Sequence, residues 1–166
     1  MLRAPAIIDI EASGFGPESY PIEIGAVLPD GRRFSSLITP FPEWCYWSDE
    51  AQAVHNISRQ LLAEGGKSGV EVAHCLNAFL GSCQAYSDGW VVDKPWLDKL
   101  FYHARIRPTF TLSPIEALMP EAQINCWDNT KAQVIEQLQV DRHRASTDAL
   151  VIQQTFLRSK QLAATG

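Results

Sequence analysis

Two acids set two residues apart, Asp9 and Glu11, interrupt the apolar stretch Ile7-Ile8-Asp9-Ile10-Glu11 near the start of the chain. Successive side chains of a strand point to opposite faces, so Asp9 and Glu11 share one face while Ile8 and Ile10 share the other. Two strand rises separate their roots by about 6.6 Å, which lets both carboxylates converge on one point. Adjacent buried like charges are costly, and a raised pKa or a bound cation is the usual relief. Two further places hold acids beside helix starts. Asp93, in "SDGWVVDKPWLDKLF", directly precedes a helical pattern with Pro95 in its first turn, an N-cap placement. There it serves as a cap alone, or as a cap whose carboxylate also reaches the end of the sheet. His143 and Asp148, in "DRHRASTDAL", lie at the mouth of the last helical stretch. On one continuous helix they would stand about 140° apart, so His143 is expected in the loop and Asp148 in the first turn, both facing the same mouth. Taken singly, each has an ordinary reading, as a surface histidine and as an acid favoured by the helix macrodipole.

The elements that must position these groups follow from periodicity and turn residues. Residues 5–11 read as a buried strand, 21–28 ("PIEIGAVL") as a second and 32–39 as a third, with Pro29-Asp30-Gly31 as the tight turn between the last two. Helical spacing is expected over 49–64, 70–81, 94–105, 128–138 and 145–160, with short strands near 83–87 and 109–112. A meander of three strands, then strands alternating with helices, implies an α/β protein. Its mixed sheet has about five strands, the first three an antiparallel meander, and α-helices flank it. One domain over residues 1–160 is expected, with 161–166 as a short C-terminal tail; no repeat or low-complexity tract interrupts the pattern.

The bulk numbers bound the class. The chain has 166 residues, 46% of them hydrophobic and 20% charged, enough for a full core. No apolar run approaches the roughly 18 residues that span a bilayer, and Met-Leu-Arg-Ala-Pro runs straight into a strand, so a soluble chain with no membrane partner is expected. Cys45, Cys75, Cys83 and Cys126 are scattered without CxxC or finger-like histidine spacing. That pattern suggests neither a zinc site nor a disulfide framework and points to a reducing, cytoplasmic setting. A formal net charge of -5 argues against binding along a long duplex. It leaves room for nucleic acid held by its end at a metal site, where the ions supply positive charge.

The three acid-bearing stretches together resemble a known family. Asp9-x-Glu11 followed by Ala-Ser-Gly, an aspartate at position 93, and "HRASTDA" near the C-terminal end are similar, in order and spacing, to the three motifs of the DEDDh 3'-5' exonuclease superfamily. That group includes polymerase proofreading subunits, ribonuclease T, oligoribonuclease and the TREX nucleases. His143, Ala145, Asp148 and Ala149 match the third motif, and the likeness covers nearly the whole chain. The second motif departs from the pattern: where many relatives carry His-Asn-x-x-Phe-Asp, this chain has Asp88-Gly89-Trp90-Val91-Val92-Asp93. Asp88 and Asp98 therefore stand as rivals to Asp93.

The resemblance implies a ribonuclease H-like fold and a metal-dependent 3'-5' exonuclease. Such an enzyme would release nucleoside monophosphates from the 3' end of single-stranded DNA or short RNA. Phosphodiester hydrolysis needs a hydroxide and charge neutralisation at the attacked phosphate, which two divalent ions about 3.5–4 Å apart can provide. Hard oxygen ligands suit Mg²⁺ or Mn²⁺, two ions per site. By resemblance, Asp9 would bridge the metals, Glu11 and Asp148 would hold the one that carries the attacking water, and Asp93 would act on the second. His143 would be the general base, a role for which imidazole, with an ordinary pKa of about 6.5, is suited. Ala12 and Ser13 would meet the terminal 3'-hydroxyl. Phe15 reads either as a wedge stacking on terminal bases, worth about 1–3 kcal/mol per base, or as a plug in the turn. His55, in a His55-Asn56-Ile57 turn, and Trp47 would contact the terminal nucleotide or simply pack. Glu23 is expected in a polar supporting role, and Arg142 and Arg144 either touch phosphate or form a solvated pair. Relatives often form homodimers. The alternative is a catalytically weak or inactive nucleic-acid-binding relative of the same fold, to which only the altered second motif points.

Overall fold

The first strand, β1 (Ala6–Ala12), lies inside the sheet, with Ile7 and Ile8 fully buried on its two faces. It pairs antiparallel with β2 (Pro21–Val27), which pairs antiparallel with β3 (Arg33–Thr39), giving the expected meander. On its other side β1 pairs parallel with β5 (Gln84–Ser87), which pairs parallel with β6 (Thr111–Pro114). A two-residue strand, β4 (Lys67–Ser68), adds to the far edge of β3 and brings the strand number to six, in the order β4-β3-β2-β1-β5-β6. The structure is a computed structural model that describes residues 3–140 and 143–165. Arg142 lies outside the described residues, as does the last residue of the expected tail.

Alternation divides the sheet into two apolar surfaces. Ile8, Ile10, Ile22, Ile24 and Ala26 pack into the larger core. Its helices are α3 (Gly69–Leu80), through Val72 and Leu76, and α4 (Trp90–Ala104), through Leu97 and Leu100. Ile7 and Val27, cross-strand partners, face the other way into a smaller core with Ile115, Ala149, Ile152 and Phe156. The last three belong to α7 (Ala145–Thr165), which crosses behind β1 and β2 and continues through most of the segment expected as a tail. Each fully buried aliphatic side chain contributes roughly 1.5–3 kcal/mol, so both faces of β1 are held firmly. Before α7, a short 3-10 turn (Ile115–Leu118), α5 (Glu121–Asn125) and α6 (Trp127–Leu138) lead back from the sheet edge.

Two further helix boundaries differ from the periodic pattern. The single helix expected over 49–64 is two, α1 (Asp49–His55) and α2 (Arg59–Gly65). Asn56 takes a left-handed cap at φ 57°, and the Ser58 hydroxyl then accepts from the Leu61 N–H to start the second helix. Helix α4 begins four residues earlier than the Pro95 signal suggests. Gly89 is its cap, the Ser87 hydroxyl accepts from the Gly89 N–H at 3.0 Å, and the Trp90 indole N–H donates to the Leu112 carbonyl at 3.0 Å. Asp93 is therefore not an N-cap: its own N–H donates to the Gly89 carbonyl at 2.9 Å within the first turn, leaving the carboxylate free to turn towards the sheet. The four cysteines are all free thiols, and no helix among the described residues is long and apolar enough to cross a membrane.

Gly25 fixes how near α7 can come. It pairs with Asp9 across β1 and β2, and a Cβ built on it would sit 2.1 Å from the Ala145 carbonyl carbon and the Ser146 nitrogen. Backbone against backbone leaves nothing flexible to yield. Gly25→Ala is expected to cost at least about 2 kcal/mol in urea denaturation, by forcing α7 off the sheet. A loss below about 0.5 kcal/mol would contradict this packing.

Candidate active site

The acids of β1 stand on the α7 face of the sheet, just beyond the smaller core. The register pairs Asp9 with Gly25 and Glu11 with Glu23, and the pairing slips between Glu11 and Ala12. Such an irregularity re-aims the strand end, a common feature beside active sites. The Asp9 carboxyl is held well above the usual carboxylate range, first by burial and then by the negative charges of Asp93, Glu11, Asp148 and Asp88. Four acids from three separate stretches therefore surround a fifth.

Asp93 is only 3% exposed, and its carboxyl is pushed up to about 7. Burial is the main cause and the charge of Asp88 adds to it, against the Ser87 hydroxyl and the Ile10 backbone, which favour the ionised form. Ser87 is itself fully buried and donates a very short hydrogen bond to Asp93 Oδ2. The two rivals sit differently. Asp88 is bridged by Lys131 Nζ at 2.5 Å, and Asp98 lies on the exposed side of α4, bridged by Lys94 at 2.6 Å. Of the three, Asp93 exerts the largest influence on Asp9.

The third stretch behaves as the spacing requires. His143 is exposed, lies before the helix and adopts a left-handed φ of 63°, rare for a residue with a side chain. Its backbone N–H donates to Asp148 Oδ2 at 2.9 Å. Asp148 is buried in the first turn of α7. Glu11, His143 and Asp148 each offer one ligand atom, all within 4.8 Å of one another, and thus form a cluster able to hold a metal ion. Arg144 is ion-paired rather than merely solvated: its guanidinium grips Glu23 through Nε and Nη2 at 2.9–3.1 Å while the side chain stays 45% exposed.

Beside Glu11 a narrow cleft is lined by Ala12, Phe15, Val54, His55 and Trp96. Phe15 is 67% exposed, which removes the reading as a buried plug. His55 is buried, and its Nδ1 accepts from the Ile57 N–H at 3.0 Å, so the ring proton resides on Nε2. Burial pushes the imidazole below its usual pKa, with the Ala12 backbone and the charge of Glu23 partly opposing, so the ring is a neutral donor at neutral pH. Among the described residues, Nε2 has no hydrogen-bond partner of ordinary geometry.

The structure does not bring Ser13 and Trp47 into this cleft. Ser13 is fully buried: its N–H donates to Tyr20, its carbonyl accepts from Ser48 and its hydroxyl accepts from the Tyr20 N–H. Trp47 gives its indole N–H to Gln52 at 3.0 Å, stacks under Arg59 and meets His55 edge-on, so it stands behind the histidine. Trp96, from the first half of α4, lines the cleft instead. A larger cavity of about 500 Å³ near Arg3, Tyr86 and Lys160 contains none of the acids.

A mixed sheet in this order, flanked by helices, is the ribonuclease H-like fold. In particular, the fold matches solved structures of exonuclease I. Exonuclease I from Methylocaldum szegediense superposes with a TM-score of 0.71 at 13% identity, over 97% of this chain and 41% of that one. E. coli exonuclease I in complex with a dT13 oligonucleotide gives 0.70 at 12% identity, over 98% and 42%. The zinc-bound E. coli enzyme with single-stranded DNA gives 0.71 at 13%, over 99% and 41%. At this identity the likeness is one of fold, and the chain spans about two fifths of the length of these exonuclease I chains. No protein-family model and no curated protein sequence matches the chain.

The raised carboxyls have a measurable consequence. Where an acid's pKa is higher in the folded than in the unfolded chain, the folded state holds the extra proton, so stability falls as pH rises between the two values. For Asp93 that window runs from the ordinary 3.8 to about 7. The metal-free chain is expected to lose several degrees of Tm between pH 5.5 and 8, at about 2–4 °C per kcal/mol for a domain of this size. Asp93→Asn should shrink that loss, and Mn²⁺ at pH 8 should reverse it. An identical pH dependence in Asp93→Asn would contradict the assignment.

Proposed function

We propose that the chain is a divalent-metal-dependent 3'-5' exonuclease domain acting on single-stranded DNA or short RNA and releasing nucleoside monophosphates. The observation that carries this reading is the gathering of the Glu11, His143 and Asp148 ligand atoms within 4.8 Å of one another, next to the buried Asp9, whose carboxyl the charges of Asp93, Glu11, Asp148 and Asp88 push up. The donor set fits hard cations: carboxylate oxygens predominate, and the neighbouring cation Lys131 is committed to Asp88. Asp9, Glu11, Asp93 and Asp148 would hold two Mg²⁺ or Mn²⁺ ions. When bound, such ions supply Lewis acidity and offset the negative charge on the attacked phosphate and the departing 3' oxygen.

The chain's own residues do the rest. His143, with a ring nitrogen within 4.8 Å of the ligand atoms of Glu11 and Asp148, takes the proton from a water that those carboxylates orient. Asp148 also accepts the His143 backbone N–H and so ties base and ligand together. The cleft beside Glu11 suits the terminal nucleotide: Phe15 stacks on a base, Trp96 and Val54 exclude water, and the Ala12 backbone and the His55 ring line the sugar side. Ser13 and Trp47 support that wall from behind. Preference for single strands is supported by the narrowness of the cleft and by the chain's net charge of -5, which disfavours a long duplex. The exonuclease I neighbours bound to oligonucleotides are consistent with this reading.

The test is hydrolysis of 3'-labelled and 3'-blocked single strands of DNA and RNA with Mg²⁺ or Mn²⁺. The wild type should shorten free 3' ends only and stop in EDTA. Asp9→Ala should lose at least about 10²-fold in rate, and His143→Ala about 10²–10⁴-fold. Equal rates in wild type and Asp9→Ala would sink the site. Binding of single strands without hydrolysis in either metal would favour a non-catalytic relative.

A further inference from the structure

We propose that Glu23 is a positioning residue of this site: through Arg144 and the first N–H of α7 it sets His143 and Asp148 against Glu11. The proposal rests on the exonuclease reading for its kinetic consequence and on geometry alone for its structural one. Glu23 is 1% exposed and is the cross-strand partner of Glu11, so both side chains rise from the same face of the sheet. Nothing in β1 or β2 neutralises it. Its charge is met from 121 residues away: Oε1 accepts from Arg144 Nη2 at 2.9 Å and Nε at 3.1 Å, and Oε2 from Arg144 Nε at 3.1 Å and the Ala145 N–H at 3.0 Å. The Ser35 hydroxyl completes the set at 3.4 Å.

This arrangement does what a local cap cannot. The residue before α7 is Arg144, whose side chain has no acceptor, so the first N–H of the helix is satisfied by a carboxylate from β2. A negative group at that helix end also complements the macrodipole. Gly25, two residues further along β2, lets the helix backbone touch the strand, and Arg33 on β3 donates to the Ser146 hydroxyl at 3.0 Å. The start of α7 is thus fixed on β2 and β3, and with it the left-handed backbone at His143 and the hydrogen bond from His143 to Asp148. A strained conformation persists where its surroundings over-determine it, and here they do. With its oxygens occupied by Arg144 and Ala145, Glu23 acts on the site through the loop rather than as a ligand.

Outer partners of metal ligands are worth roughly 10–100-fold in metal affinity or activity when removed. Glu23→Gln keeps the shape and an acceptor for Ala145 but breaks the ion pair. Arg144→Lys keeps a cation but loses the two-pronged grip. Ile152→Val, on the core side of α7, loosens the same helix without touching the clamp. For each variant, Mn²⁺ binding is read by electron paramagnetic resonance and kcat and KM on 3'-labelled single strands at a temperature where all are folded. Glu23→Gln should lose roughly 10–100-fold in Mn²⁺ affinity or kcat, with KM within about threefold. Arg144→Lys should follow in the same direction, and Ile152→Val should lower only Tm. Wild-type Mn²⁺ affinity and kcat in folded Glu23→Gln overturn the proposal, as do losses no larger than those of Ile152→Val. Should Glu23→Gln fail to fold, Arg144→Lys decides by the same readouts. A wild type that binds Mn²⁺ but hydrolyses nothing overturns the exonuclease reading alone, and the Mn²⁺ arms still decide the clamp.

Discussion

Repulsion among carboxylates at the end of β1 is the constraint on which the rest of the molecule depends. Asp9 sits amid four other acids, and at the separations involved each like charge raises the cost of ionising the next. The fold tolerates this because the peripheral acids are individually tied down. Ser87 holds Asp93, Lys131 holds Asp88, Arg144 holds Glu23 and the His143 backbone holds Asp148. What is left concentrated at Asp9 and Glu11 is negative potential, the condition that favours a bound divalent cation.

The sheet topology is what allows acids from distant stretches to meet. β1 has an antiparallel neighbour on one side and a parallel one on the other, so Gly25 and Glu23 arrive beside Asp9 and Glu11 while Ser87 and the start of α4 emerge at the same end. The larger core under Ile8 and Ile10 anchors α4, and the smaller core under Ile7 and Val27 anchors α7. Packing energy in both cores thus sets distances in the polar cluster between them. The glycine at position 25 is the point where this matters most, since a single methyl there would separate α7 from the strand.

Much of the site was legible from local pattern. Period-two alternation placed Asp9 and Glu11 on one face, and the helical period separated His143 from Asp148 across a helix start; both readings depend on backbone geometry within a few residues. The environment of Asp93 was not legible in the same way. Pro95 suggested a helix beginning after Asp93, but Gly89 and the Ser87 hydroxyl begin it earlier, and the acid turns inward instead of capping. Trp47 and Trp96 were likewise indistinguishable by residue type. Which of them lines the cleft follows from how α1 and α4 pack, and Trp47 is drawn away by Gln52 and Arg59.

By itself the sequence determined the α/β class, the strand meander and the residue types that could bind a hard cation, because these follow from short-range periodicity and from the chemistry of single side chains. Only the tertiary structure decided which acids stay together and which are neutralised. Arg144 beside a histidine reads as a surface cation until α7 docks on Gly25 and brings it against Glu23, 121 residues earlier. Ion pairs of that sequence separation depend on the docking of whole elements, and no local period encodes them.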